Sequence, residues 1–444
     1  MRVAYVLGTT AGGTGPHVAM LARECAAQGM AVRVFGPAET GQRFFLASPA
    51  PDGPPVSPRP DGPPVSAAPG GPPGGAQTAG APAGVAPGGP PGFVVVDIAD
   101  RPRPAHDLAV VLRLRQLLRA WAPDIVHAHG LRAGGLTAMA LTGWPRAQPH
   151  PATRGRSMIV KTSQRIGLKS LQDQEKGGQA ARRPALVVTV HNAPPAGGMA
   201  GLVYAALERV AARRAQAVTW VSSDLAGRMR RAGARDGGRA LVPAPEFPPP
   251  SAAQVAQVRA DLGAENRPVV LTAGRLVPQK GYPVLLAAAA GWQDRDPVPL
   301  LVIAGEGPLA GSLATAARES GVAARFLGQR ADIPALLAAA DVVVVPSVWE
   351  GQPLIVQEAL RAGRPLVASR TGGIPELTGE DAALLVPQGD PAALAAAVES
   401  VLGDPGLAAR LAAAAAKRAA ELPDTGAAVD SVARLYRRLL RQAD

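Results

Sequence analysis

Six short aliphatic runs recur through the second half of this 444-residue chain, with helix-forming stretches between them: PVVLTAG (268–274), PLLVIAG (299–305), ARFLG (324–328), DVVVVPS (341–347), PLVAS (365–369) and ALLVP (383–387). Runs of this length without polar alternation are strands buried on both faces, and strands separated by helices pair in parallel. The first half repeats the scheme. RVAYVL (2–7) is a strand, a helix runs from about Pro16 to Gln28 and is ended by Gly29, and AVRVF is the next strand. An amphipathic helix is expected at 107–121, then strands at DIVHAH (124–129), LVVTVHN (186–192) and VTWVSSD (218–224). PAPEFPPPS (243–251), with five prolines, reads as a linker. The expected architecture is α/β: two Rossmann-like, doubly wound parallel-sheet domains facing a cleft, since the chain is too long for one ordinary core. The domains are 1–242 and 252–426, with 427–444 as a closing helix. Asp332 is placed to cap a helix.

Two stretches break the pattern. Residues 48–92 are mostly Pro, Gly, Ala and Ser, and PDGPPVS occurs at 51–57 and again at 60–66. That composition cannot bury enough apolar surface to fold, so a disordered insertion is expected, with order resuming at Phe93. Residues 145–184 read as a second irregular insertion, net +6 over 151–183. Arg dominates the basic residues, and only five of the 46 are Lys. Residues 1–243 hold 28 Arg and Lys against 13 Asp and Glu, a balance of +15, whereas 244–444 hold 18 against 21, a balance of −3. Cys25 is the only cysteine, which rules out an internal disulfide and fits a reducing compartment. The start reads as a strand and not a signal peptide, and no apolar run reaches the ~18–20 residues of a membrane span. A cytoplasmic location is expected, with room for peripheral contact at the inner membrane face.

In two facing Rossmann-like domains the ligand lies at the carboxyl ends of the strands, so residues just after strands carry the information. The first such loop holds Gly12 and Gly13 ahead of a helix N-terminus, where backbone amides favour an anion. The dinucleotide fingerprint is incomplete, because Val18 stands where its third glycine would be, and a GxxxxGK[ST] loop is absent. His127 and His129 share a face at a strand end, with packing expected for one and ligand contact for the other. His191 and Asn192 end the next strand and can face the same cleft. In the second half, Arg275 and Lys280 follow a strand and suit a diphosphate, one as a fork and the other as a point charge. Glu350 follows a strand, and Glu358 lies on the helix beginning near Leu354. Two carboxylates can hold a sugar ring and a ribose through their hydroxyls, while acid–nucleophile chemistry of the glycosidase kind is the competing reading. The one Asp-x-Asp, Asp294 to Asp296, precedes a strand and reads as a surface turn, so no metal site is assigned.

GGTGPHV, HAHG, TVHN, VSSD, GRLVPQKG, IAGEGPL, SVWEGQPLIVQEAL and GGIPEL occur in this order. Together they resemble the retaining family-4 glycosyltransferases of GT-B fold, over nearly all of the chain outside the two insertions. The resemblance implies that Gly13 places its backbone against the donor diphosphate and that His129 contacts the transferred sugar. It implies that Arg275 and Lys280 bind the diphosphate and stabilise its leaving charge. Glu350 would hydrogen-bond the sugar and Glu358 the ribose, with amides of Gly351 to Ile355 (Leu354 between them) helping to hold the donor. Gln352-Pro353 departs from the pattern, since an aromatic often follows the Glu-Gly pair.

The function implied is retaining, metal-independent transfer of a hexosyl group from a nucleotide sugar, with no cofactor and no nucleic-acid partner. The rivals are a nucleotide-sugar epimerase of similar architecture and a non-catalytic nucleotide-sugar-binding protein. The basic first half, with Arg113, Arg115 and Arg119 beside a Leu/Val-rich face on 107–121, raises the expectation of an anionic or membrane-anchored acceptor.

Overall fold

The computed structural model describes residues 1–10, 12–46, 89–144, 183–193 and 197–443. The expected insertions at 48–92 and 145–184 therefore lie almost wholly outside the described residues. The first sheet has seven strands: β1 (Arg2–Leu7), β2 (Ala31–Gly36), β3 (Gly92–Val95), β4 (Ile125–His129), β5 (Ala185–Val190), β6 (Ala217–Trp220) and β7 (Gly237–Arg239). The second has six: β8 (Val269–Ala273), β9 (Leu300–Ala304), β10 (Ala324–Phe326), β11 (Val342–Val345), β12 (Leu366–Ser369) and β13 (Leu384–Val386). Every described pairing is parallel. The orders are β3-β2-β1-β4-β5-β6-β7 and β10-β9-β8-β11-β12-β13. Both sheets reverse direction of growth once, between β1 and β4 and between β8 and β11. At such a switch point the flanking loops splay apart and leave a crevice beyond the strand ends.

The strands read as continuous apolar runs because helices cover both faces, and β2, β4, β5, β6, β9, β11 and β12 are buried at every position. Three details differ from the sequence reading. β3 begins at Gly92, one residue before order was expected to resume. β7 was not foreseen, since Gly237-Gly238-Arg239 carries no hydrophobic pattern; it forms because a side chain at Gly237 would overlap the Val218 carbonyl, so only glycine lets this edge close. Asp332 does precede the helix Ile333–Ala339, but its side chain makes no cap. Both its oxygens accept from Arg330, at 2.8 and 2.6 Å. A bidentate ion pair thus takes the carboxylate that a cap would use.

The last helix, Thr425–Ala443, leaves the second domain and packs on the first. Val429, Ala433, Tyr436 and Leu439 are buried among Val3, Tyr5, Leu7, Val18 and Leu21. Among the described residues no single helix is long and apolar enough to cross a membrane.

Candidate functional site

Loops from the two switch points face each other across a cleft of about 630 Å³. Gly12, Gly13, His191 and Asn192 line it from the first domain, and Arg275, Lys280, Glu350, Gly351, Leu354, Ile355 and Glu358 line it from the second. The opposition is close. A Cβ added to Gly12, which has φ +99°, would lie 3.2 Å from Arg275 Nε, and one on Gly13 would lie 3.5 Å from Leu354 Cδ1. The glycines thus admit the other domain's cation to within contact of the loop backbone.

Arg275 and Lys280 are not equivalent. Arg275 has no hydrogen-bond or ion-pair partner among the described residues and stands exposed in the cleft. Lys280 Nζ donates to Glu350 Oε1 at 2.6 Å, and their side chains are 18% and 7% exposed. Ser347 Oγ donates to the same oxygen at 2.6 Å. Gly281 makes this possible: at φ +68° it runs so close to the Pro346 carbonyl that any side chain would overlap it, which brings Lys280 onto the β11 loop. Tyr282 OH donates to the Gly274 carbonyl at 3.0 Å. Burial, with the nearby Glu350 charge adding to it, raises that phenol's pKa.

Glu358 points into the cleft from the helix Leu354–Arg361 and has no hydrogen bond or ion pair among the described residues. Burial raises its pKa, and the charge of Arg361 partly offsets this. A desolvated, unpaired carboxylate is poised to accept hydrogen bonds from hydroxyls.

His129 is set apart from the other expected site residues. It lines a side recess of about 210 Å³ with Thr10, Asp100 and Arg132, and the recess shares His191 and Asn192 with the main cleft. Four imidazoles meet at the junction. His129 Nδ1 lies 2.9 Å from His191 Nε2, and the two rings stack at 5.2 Å. His129 also stacks on His127 at 4.2 Å, and His17 approaches His191 edge-on at 5.8 Å. Burial is the main cause of depressed basicity in all four; His191 falls to about 4 and His127 to about 3, while His17 and His129 lie well below 6.5. These rings are neutral at pH 7. His127 is spent on packing: it bonds Tyr436 OH and Thr189 Oγ1, each at 2.6 Å. His129 Nε2 and Thr10 Oγ1 are buried without a partner, and both residues line the recess. His127 is thus the packed member of the pair, and His129 keeps an unpaired nitrogen beside the recess. Among the described residues no group of three or more His, Cys, Asp or Glu could hold a metal ion. Asp294 and Asp296 are both exposed, on the loop before β9.

Residues not singled out from the sequence complete the cleft: Gly305, Glu306 and Gly307 after β9, and Gln329 and Arg330 after β10. IAGEGPL carried the signal, since it follows a strand as the other site loops do. Two other motif pieces have a different use. Glu376 of GGIPEL accepts from the Ser223 backbone amide of VSSD at 2.6 Å, and Trp349 Nε1 donates to Asp224 at 2.7 Å, so these segments join the domains.

Gln352 joins them too. Its Oε1 accepts from Val242 N at 2.9 Å, and its Nε2 donates to the carbonyls of Val221 and Ala240. Gln357 accepts from Ala244 N at 3.1 Å and donates to the Val242 carbonyl at 2.9 Å. Arg361 donates to the Ala244 carbonyl at 2.5 Å. The helix that carries Glu358 therefore grips the segment crossing between domains.

Residues 11–153 match the profile Glycosyltransferase Family 4, and residues 255–418 match Glycosyl transferases group 1. The chain belongs to the family-4 glycosyltransferases. It is 31% identical over 247 residues to an alpha-D-kanosaminyltransferase of Streptomyces kanamyceticus, covering 52% of this chain and 63% of that protein. It is 39% identical over 173 residues to a glycogen synthase of Mycobacterium tuberculosis, covering 38% of this chain and 42% of that protein. The matched stretches thus span about half the length of these relatives. Among solved structures, Anabaena HepE in complex with UDP aligns over 98% of this chain and 99% of its own, with TM-score 0.67 and 19% identity. Sucrose-phosphate synthase from Thermosynechococcus elongatus aligns with TM-score 0.68 and 20% identity, covering 100% of both chains. These likenesses establish the GT-B fold for this family-4 chain.

Proposed function

We propose that this family-4 protein transfers a hexosyl group from a nucleoside diphosphate sugar to a hydroxyl acceptor, with retention at the anomeric carbon and without a divalent metal. The observation that carries the reading is the meeting of Arg275 and the Gly12–Gly13 backbone across the cleft, with Lys280 held beside them by Glu350. As the C1–O bond breaks, negative charge grows on the departing diphosphate, and fixed cations and amides stabilise it without rearranging. The UDP bound to HepE supports a nucleoside diphosphate as leaving group. Glu358 accepts the ribose hydroxyls. Glu350 is committed to Lys280 and Ser347, so a double displacement through it would first have to break that pair. Attack on the face the diphosphate leaves gives retention directly: the acceptor oxygen bonds C1 and its proton passes to the departing phosphate oxygen. His129, neutral at pH 7, offers Nε2 to a sugar hydroxyl and does not serve as an acid.

The relatives' names range from aminosugar transfer to glycogen synthesis, so the donor is found by experiment. A thermal-shift panel of UDP-, GDP- and ADP-linked sugars identifies it, and NMR of the product gives the anomer. Turnover is expected to survive EDTA. Inverted product, or turnover lost in EDTA and restored by Mg²⁺ or Mn²⁺, overturns the corresponding part. Interconversion of free nucleotide sugars without acceptor would make the protein an epimerase, and binding without any turnover would make it a binding protein.

A membrane-anchored or anionic acceptor, approached from the inner face of a cytoplasmic membrane, is favoured by one observation. Leu108 and Leu112 stand 61% and 53% exposed, one turn apart on the helix Pro104–Trp121. Arg115 and Arg119 are turned to the carbonyls of Met139, Ala140 and Gly143, which leaves Arg113 as this helix's outward cation beside them. Co-sedimentation with anionic but not neutral vesicles at low salt is the expected result; equal, negligible binding to both removes the membrane.

A further inference from the structure

A second cavity, of about 490 Å³, opens between the last helix and the β5–β7 side of the first sheet, and no described residue lines both it and the donor cleft. Along this face β5 presents Ala185, Val187 and then Thr189, and β6 presents Ala217 and then Thr219. A covered parallel sheet is aliphatic at such positions; here the floor turns polar. The wall is strongly basic. Arg434, Arg437 and Arg441 recur at i, i+3 and i+7 on the last helix, so they share one face, and none has a hydrogen-bond or ion-pair partner among the described residues. Two further arginines of the wall are neutralised, Arg438 by Asp236 at 2.8 Å and Arg239 by Glu376 at 3.1 Å. Like charges so spaced repel one another along a helix unless something negative lies between them. A second feature also points to a ligand: His17 lines the cavity at 6% exposure, and its Nδ1 is buried without a partner.

We propose that this cavity binds a small phosphorylated ligand, its phosphate held by Arg434, Arg437 and Arg441 and its polar body by Thr219, Ser431 and His17. Guanidinium forks match phosphate oxygens bidentately, and hydroxyls with an imidazole nitrogen suit a hydroxylated body. The site shares no lining residue with the donor cleft, and the two are linked through His17, whose ring lies edge-on to His191 of that cleft at 5.8 Å.

Inorganic phosphate and glycerol 3-phosphate, titrated into the full chain at constant ionic strength, test it by calorimetry and by the shift in Tm. Both are expected to bind, with glycerol 3-phosphate tighter, and chloride to do nothing. R434Q/R437Q/R441Q is expected to weaken binding by about tenfold per arginine, to raise Tm without phosphate slightly by relieving the repulsion, and to leave turnover unchanged. R275Q is expected to leave this binding intact. Binding that survives the triple variant, that vanishes in R275Q, or that chloride reproduces would overturn the site. Should the triple variant fail to fold, R441Q alone, on an exposed residue two positions from the end of the helix, is read in the same way.

Discussion

As cations after a strand, Arg275 and Lys280 differ in sequence only as a fork differs from a point charge, and their surroundings make them different tools. Lys280 belongs to a buried pair, and removing one member of such a pair costs about 3–5 kcal/mol because the other charge is stranded. Lys280→Met is thus expected to lower the unfolding free energy by about that much and turnover by ~100–1000-fold. Lys280→Met/Glu350→Gln is expected to regain stability and not rate. Arg275→Gln is expected to lose rate by a similar factor with little change in stability, since Arg275 has no partner to strand among the described residues. Urea denaturation beside single-turnover rates checks all three, and a double variant that recovered turnover would remove Lys280 from the leaving-group role. Glu358 titrates above the ordinary carboxylate range because it is buried. Donor affinity is therefore expected to weaken on acidification at a higher pH than an exposed Glu, of pKa about 4.3, would allow. Glu358→Gln should abolish that pH dependence of donor Kd. The imidazoles act on stability with a definite sign. His191 and His127 are depressed in the fold to about 4 and about 3, from 6.5 unfolded. Their contribution is complete above pH about 6.5 and is lost as pH falls towards 4 and then 3, because the unfolded chain binds the proton first. Melting temperature against pH reads this, and His191→Gln should flatten the part of the curve between 6.5 and 4.

At the scale of elements, the last helix shows what periodicity tells and what it withholds. Its amphipathic spacing was readable, but its destination was not: nothing local says that Tyr436 crosses to β1 and β4, where its hydroxyl meets His127 Nδ1 at 2.6 Å and Tyr5 OH at 3.2 Å. Tyr436→Phe is expected to cost about 1–3 kcal/mol by leaving His127 Nδ1 unpaired, and Tyr436→Ala about 3–5 kcal/mol through the cavity it leaves. Denaturant titration distinguishes the two, and a neutral Tyr436→Ala would mean the helix does not hold the first domain. β7 is not legible in the sequence, for the opposite reason. Its residues have no pattern of their own, and the strand exists because β6 supplies a partner that glycine can approach.

For the whole molecule, the decisive contacts are those that set the cleft. Gln352 and Gln357 satisfy buried backbone groups of 221 and 240–244, so the donor-side helix and the crossing segment move as one body. Replacing both by Leu strands these amides and carbonyls, at about 1–3 kcal/mol for each. The cleft then loses its fixed width. Gln352→Leu/Gln357→Leu is expected to raise the donor KM more than it lowers kcat, with a larger radius of gyration in solution scattering. An unchanged KM would mean that closure is set elsewhere. The departure at Gln352 thus concerns domain geometry, since its side chain is fully engaged with backbone.

Sequence alone determined every strand but β3 and β7, their parallel pairing, the two-sheet architecture and the rule that chemistry follows strand ends, because each depends on local period and on glycine and proline punctuation. It placed Gly12, Gly13, Arg275, Lys280, Glu350 and Glu358 on loops or helix starts bordering one cleft. Tertiary structure alone decided the partners: that Glu350 binds Lys280, that Arg275 stays unpaired among the described residues, that His129 stands in a side recess among neutral imidazoles, and that the last helix returns to the first domain. The reason is physical. Strand and helix periods are written within a few residues, whereas a pKa, an ion pair or a domain contact depends on groups up to several hundred positions apart, whose distance and desolvation exist only once the chain has packed.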